Sequence, residues 1–203
     1  MQIYFKYVRS SAFTLVELVV VITIATIILT TLVFQQKKWD DQLRLNTSTY
    51  ELALMLRQAQ IYSLGVRENV ASVGDKFDIG YGVHLDAQTT VRYDFFADMN
   101  KDFKYSLDES LEAKILSRVA AIYKVCAIAT LTATQRCSDE ALVPLEMVDI
   151  SFLRPEVGAR AKFLDTDGVE IPGYELPAEI YLRSRQGKIS SVVIEANGQI
   201  SIQ

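Results

Sequence analysis

Residues 13–34, FTLVELVVVITIATIILTTLVF, carry one charge in a run of 22 residues, Glu17. A helix of that length spans roughly 33 Å, enough to cross the hydrocarbon core of a bilayer. The run is preceded by a short basic leader holding Lys6 and Arg9 and by the small residues Ser10, Ser11 and Ala12. A cleavable secretory signal has its small residues after the apolar core, and here they come before it. A carboxylate near the end of an apolar span costs on the order of 2 kcal/mol or more if it reaches mid-membrane, so Glu17 needs a partner or a protected position.

The order of basic leader, small residue, FTLVEL and long apolar run resembles the N-terminal signal of type IV pilins and pseudopilins. In that family a membrane peptidase cuts before the Phe and methylates the new amine. The resemblance places the cut between Ala12 and Phe13 and makes Glu17 the fifth mature residue. Ala12 stands where the family usually has Gly. The resemblance further implies that Glu17 sits beside the N-terminal amine of a neighbouring subunit in a filament, where opposite charges pair in low dielectric. The alternative is local: a helix start favours a negative charge. The implied partners are a prepilin peptidase, other pilin or pseudopilin subunits, and the membrane. The implied location is single-pass in the inner or cytoplasmic membrane before assembly. After assembly it is a surface pilus or a periplasmic pseudopilus.

Neither Pro nor Gly occurs between Phe13 and Leu64, so the helix is expected to continue to about Gly65, roughly 78 Å in all. Residues 35–65 place Leu45, Leu52, Leu56, Ala59 and Ser63 at helical spacing, with Arg44, Glu51 and Arg57 elsewhere. Residues 66–203 change to short β-type runs: 79–85, 90–96, 111–116, 120–128, 148–153, 161–164, 179–183, 189–195 and 199–202. Asn197–Gly198 is a hairpin signal with both central residues at positive φ. Pro144, Pro155, Pro172 and Pro177 are read as breakers between runs. The expected fold is α+β: a long N-terminal helix, transmembrane in its first half, packed on an antiparallel β-sheet head. ELALMLRQAQIYSL (51–64), YGVHLD (81–86), FFADMNKD (95–102) and SSVVIEANGQISIQ (190–203) resemble GspH/FimT-like pseudopilins.

Cys126 and Cys137, with ten residues between them, read as a disulfide in an exported domain, against two buried thiols. One histidine, His84, and two cysteines leave no set for a conventional zinc site. The segment DMNKDFKYSLDE (98–109) spaces oxygen ligands as a calcium loop does. Asp98, Asn100 and Asp102 take the first, third and fifth positions, Lys104 its carbonyl at the seventh, Ser106 the ninth and Glu109 the twelfth. Phe103 occupies the sixth position, where such a loop wants Gly. The competing reading is a solvated acidic turn.

The formal net charge of −4 becomes −6 without Lys6 and Arg9, which argues against nucleic acid as a partner. Arg183, Arg185 and Lys188 form a small basic cluster, and the tail ANGQISIQ has no basic residue. Serines show no nucleophile-elbow pattern and no phosphate loop occurs. The expectation is a structural filament subunit of a type IV pilus or a type II secretion-like system, not an enzyme, with calcium as the one cofactor to test. The alternative is a minor pilin that binds DNA or a surface partner.

Overall fold

The computed structural model describes residues 14–65, 79–87, 91–116, 120–140 and 145–203. The described residues form one long helix, α1 (Leu15–Leu64), a single 3-10 turn and ten strands. The chain divides into two compact units, residues 1–40 and 41–203, and α1 contributes to both. The junction Ala12–Phe13, Lys6, Arg9 and Pro144 lie outside the described residues.

In the first unit, α1 is long and apolar enough to cross a membrane. Its large apolar side chains from Leu15 to Phe34 are all exposed. Its threonines are satisfied within the helix. Thr23 donates to Val19 O, Thr26 to Thr23 O, Thr30 to Thr26 O and Thr31 to Ile28 O, each at 2.7–2.8 Å.

In the second unit, the expected helical stripe faces inward: Leu45, Leu52, Leu56, Ala59 and Ser63 are buried, while Arg44, Glu51 and Arg57 are exposed. Polar links fix the helix on the strands. Ser63 Oγ accepts the Tyr81 N–H at 2.9 Å, and Arg57 and Gln60 donate to the carbonyls of Ile200 and Gly198. Gly65 makes the last helical bond, to Ile61 O, and does not take the left-handed conformation of a Gly cap.

The head carries two antiparallel five-stranded sheets. The first orders β3 (Ser110–Ile115), β2 (Arg92–Asp98), β1 (Gly80–Asp86), β6 (Met147–Phe152) and β7 (Ala159–Leu164). The second orders β10 (Ile200–Ile202), β9 (Ile189–Ile194), β8 (Tyr174–Ser184), β4 (Ala120–Ala129) and β5 (Thr134–Cys137). Alternate residues of both sheets, such as Val83, Tyr93, Ile150, Ile122, Ile180 and Val192, join the helix stripe in one core cluster.

Two expectations are corrected, one strand is additional to those expected, and the expected disulfide is present. Thr134–Cys137 is a strand that its polar composition concealed; Cys126 and Cys137 are directly opposed across β4 and β5 and disulfide-bonded. Pro177 lies inside β8 rather than between strands. The β4–β8 register shifts between Cys126 and Ile128, so the ladder is already interrupted opposite the residue that cannot donate. At Asn197–Gly198 only the glycine has positive φ, +85°. Gly198 N donates to Glu195 O and Glu195 N to Gln199 O, while Asn197 Oδ1 accepts the Gln199 N–H. This is the longer hairpin loop with glycine at its left-handed position, not the two-residue turn.

The disulfide closes a short loop, so removing it with Cys126→Ala and Cys137→Ala should cost about 2–3 kcal/mol. In a chain of this size that is a thermal midpoint lower by roughly 5–10 °C, read by circular dichroism with and without reductant.

Candidate functional site

Glu17 lies in the first turn of α1, and its N–H donates to Thr14 Oγ1 at 3.2 Å. Thr14 is therefore an N-cap, and Thr-x-x-Glu is the pattern of a capping box. This signal was readable in the sequence and gives Glu17 a local cause alongside any intermolecular one. Among the described residues no cation lies against its carboxylate.

The acidic segment joins β2 to β3 and is built as a tight turn. Oxygens of Asp98, Asp102 and Glu109 all lie within 4.8 Å of one another. Asp98 closes β2 and is fully buried; Glu109 ends a single 3-10 turn (Leu107–Glu109) and is 2 % exposed. The Asp98 carboxylate accepts the N–H groups of Asp102 and Phe103 at 3.1 and 3.0 Å. Glu109 Oε1 accepts Met99 N–H at 2.9 Å and Asn100 N–H at 3.3 Å, and its Oε2 accepts Ser106 Oγ–H at 2.7 Å. Asn100 Oδ1 accepts the Asp102 N–H, and Asn100 Nδ2 donates to Asp102 Oδ2 at 3.0 Å. Lys104 enters through its N–H, which Asp102 Oδ1 accepts at 2.8 Å. Its ammonium turns away to Gly168 O at 2.6 Å, so it does not neutralise the carboxylates.

The six expected positions thus gather around one turn, with three carboxylates at its centre. The electrostatics follow. Burial pushes the Asp98 carboxyl above its ordinary range, and the carboxylates of Glu109 and Asp102 add to this; the N–H groups of Phe103 and Asp102 oppose it. A divalent cation would relieve that repulsion, and hard oxygens from carboxylate and carboxamide groups suit calcium.

Phe103 departs from the glycine of such loops, yet its φ is +62°, the left-handed conformation the turn requires. A bulky residue there stores about 1–2 kcal/mol of strain. The Arg160 guanidinium lies 4.4 Å from the Phe103 ring centroid, a contact worth roughly 0.5–1 kcal/mol at an exposed site. Phe103→Gly should therefore leave the fold intact and change its stability by no more than about 1 kcal/mol in a thermal melt, the relieved strain being offset by the lost Arg160 contact, and should leave calcium affinity unchanged by calorimetric titration, since the loop already holds this φ without the ion.

The loop's anchors were not among the expected site residues. Tyr105 N–H donates to Asp149 Oδ2 at 2.9 Å, and the Tyr105 ring stacks on His84 with centroids 4.3 Å apart. His84 Nδ1 pairs with Asp149 Oδ1 at 2.5 Å. His84 and Asp149 are register partners on β1 and β6, so the loop is clamped across the face of the first sheet. Only the long-range β1–β6 pairing brings them together, and no local pattern announces it.

Arg183 lies over the Tyr123 ring at 4.1 Å, and with Arg185 it lines an open cavity of about 380 Å³. No protein-family model, curated protein or solved structure matches this chain.

Proposed function

We propose that this chain is a pilin or minor pseudopilin. On this reading it is a structural subunit of a type IV pilus or type II secretion-like filament that polymerises through its apolar helix after cleavage between Ala12 and Phe13. One observation carries the reading: a single helix presents an exposed apolar span with a capped first turn and one carboxylate, Glu17, and continues into a disulfide-bonded β head. An apolar surface of that extent needs lipid or other helices around it. In the inner or cytoplasmic membrane lipid covers it; in a filament the spans of neighbouring subunits do. The prepilin peptidase and the other subunits are the partners this implies.

Calcium, on this reading, is a structural cofactor. Asp98, Asn100, Asp102, the Lys104 carbonyl, Ser106 and Glu109 would hold it, and it would supply only charge neutralisation that stiffens the β2–β3 turn. Catalysis has no part in the reading.

The experiment is mass spectrometry of the mature N-terminus in membranes and in sheared surface material. N-methylated Phe13 in sheared filaments is the expected result for a pilin. The same terminus confined to membranes marks a pseudopilin. An intact Met1 in both fractions overturns the reading. A second reading, a minor pilin that binds DNA, is favoured only by the Arg183–Arg185 cavity. It predicts retention of the protein on DNA that is lost as salt rises.

A further inference from the structure

The hairpin that joins β8 to β9 carries Arg183, Arg185 and Lys188, all exposed. Arg183 and Arg185 rim an open cavity of about 380 Å³ with Val91, Ser184 and Gly187, and among the described residues no carboxylate lines it. Among the described residues, the lysine and arginine ion pairs of the head engage other side chains, from Arg92 to Lys162, and none of these three. Asp86 opens instead on a separate cavity beside His84 and Arg92. Two apolar side chains stand among the charges: Ile189 is 51 % exposed and Val91 41 %. Cations interleaved with exposed aliphatic groups suit a surface that offers anionic phosphate with hydrocarbon beneath it.

The fold sets this patch at one end of the second unit. Gln60 donates to Gly198 O and Arg57 to Ile200 O, so β10 runs opposite to α1. Ile200 is the register partner of Ile194 on β9. Ile189 lies five residues from Ile194, about 17 Å further towards the N-terminal end of the helix. That length equals roughly eleven helical residues, which brings the β8–β9 turn to the level of Leu45, near the start of this unit's helix. Strand β2 gives the same level for Val91. Ala97 is opposite Tyr81, which Ser63 holds, while Tyr93 lies beside Glu51 and Met55, and Val91 comes two residues further on. From this end α1 continues into its apolar span. On α1 itself Trp39 is 77 % exposed, five residues or about 7.5 Å beyond Phe34, where an indole marks the layer between hydrocarbon and water. Asp41, at which the second unit begins, follows two residues later.

We infer that the β8–β9 turn docks on the anionic headgroups of the bilayer that α1 enters, with Arg183, Arg185 and Lys188 at the phosphates and Ile189 and Val91 as the apolar contacts among them. The inference rests on the membrane half of the reading above, not on leader cleavage or polymerisation. Each cation close to an anionic surface favours it about fivefold, and the effect fades over a Debye length of about 8 Å at physiological salt. Docked, the head is held against the membrane, and a subunit drawn out of the bilayer gives up that contact. Free phosphate and the backbone of DNA offer the same anion. Neither has a use for Ile189 and Val91, nor for a patch at the end of the unit from which the apolar span continues.

The test uses the full chain in lipid vesicles, with a fluorophore on Gln186→Cys at the tip of the turn. Quenching by a lipid that carries a nitroxide on its headgroup reads contact with the bilayer surface. In vesicles containing a quarter phosphatidylglycerol, quenching should be about threefold stronger than in phosphatidylcholine alone, and roughly 0.5 M salt should abolish the difference. Arg185→Glu with Lys188→Glu should bring it down to the phosphatidylcholine level, and Ile189→Ser should weaken it about twofold. These side chains are exposed, so an unchanged melting temperature certifies folding. Equal quenching in both lipids, or quenching indifferent to the charge reversal, overturns the proposal. So does charge-dependent retention on a DNA duplex from phosphatidylcholine vesicles at roughly 0.15 M salt, which would make the patch a nucleic-acid site. Release from phosphatidylglycerol by millimolar inorganic phosphate also overturns it and makes the patch a phosphate site. Protein that fails to float with the vesicles overturns the membrane reading and this inference together; flotation without lipid-dependent quenching overturns the inference alone.

Discussion

Glu17→Ala should, on the filament reading, abolish or strongly reduce incorporation into filaments while leaving the protein at normal level in the membrane. The local role of this side chain is small, because the bond at Thr14 is made by the Glu17 backbone N–H and survives the substitution. What remains locally is the favourable placement of a negative charge in the first helical turn, worth about 0.3–1 kcal/mol. On the filament reading the intermolecular role is larger. Removing one member of a pair buried in low dielectric leaves the other uncompensated, at about 3–5 kcal/mol, which is at least a hundredfold in assembly. Glu17→Gln preserves size and helix start but removes the charge, so it should fail as Glu17→Ala does. The readout is the ratio of sheared-filament to membrane protein by immunoblot. Wild-type incorporation of either variant would sink the pairing role and leave helix capping as the reason for Glu17.

Saturating calcium should raise the melting temperature by roughly 5–10 °C over chelator. At a hundred times the dissociation constant, ligation adds about 2.7 kcal/mol, and a chain of this size gains about 2–4 °C per kcal/mol. The pH dependence has a definite sign. Asp98 has its folded-state pKa raised, chiefly by burial. Its protonated form is favoured in the fold, so its contribution is present at acidic pH and is lost as pH rises through the raised value. In chelator, stability from this group therefore falls on going from acid towards neutrality, and calcium restores it. Protons compete for the same oxygens, so calcium affinity should fall as pH is lowered through that range. Asp98→Asn removes the charge but keeps one acceptor oxygen for the two N–H groups. In chelator at neutral pH its midpoint should lie near that of the wild type, the lost acceptor, about 1 kcal/mol, being offset by relief of repulsion. It should show no shift with calcium. A wild-type melt indifferent to calcium would leave the loop a self-bonded acidic turn with no cation role.

The helix was legible because its two signals act over short distances. A Pro- and Gly-free run fixes its length, and the 3.6-residue period of Leu45, Leu52, Leu56 and Ala59 marks the face it buries. The strands with alternating apolar residues were legible to within a few positions. Thr134–Cys137 was not, since its residues are polar and its strand state follows from pairing with β4 and from the disulfide. Nor was the start of β8 at Tyr174, hidden by Pro177, which only the register shift in its partner accommodates. Ligand spacing in the acidic loop was readable as a local pattern. The clamp of Asp149, His84 and Tyr105 was not, because β1 and β6 are separated by about sixty residues and their register belongs to the whole sheet.

The hydroxyls of Thr23, Thr26, Thr30 and Thr31 all point back into their own helix. A neighbouring helix packed along this span meets methyl groups and aliphatic chains, with no directional bond from these residues to lock one height over another. On the filament reading, axial position is then dictated at a single level, that of Glu17. Sliding by one turn, about 5.4 Å, would disturb little along the span except that carboxylate. Such a rod should yield under tension by slippage between helices rather than by unfolding of the heads.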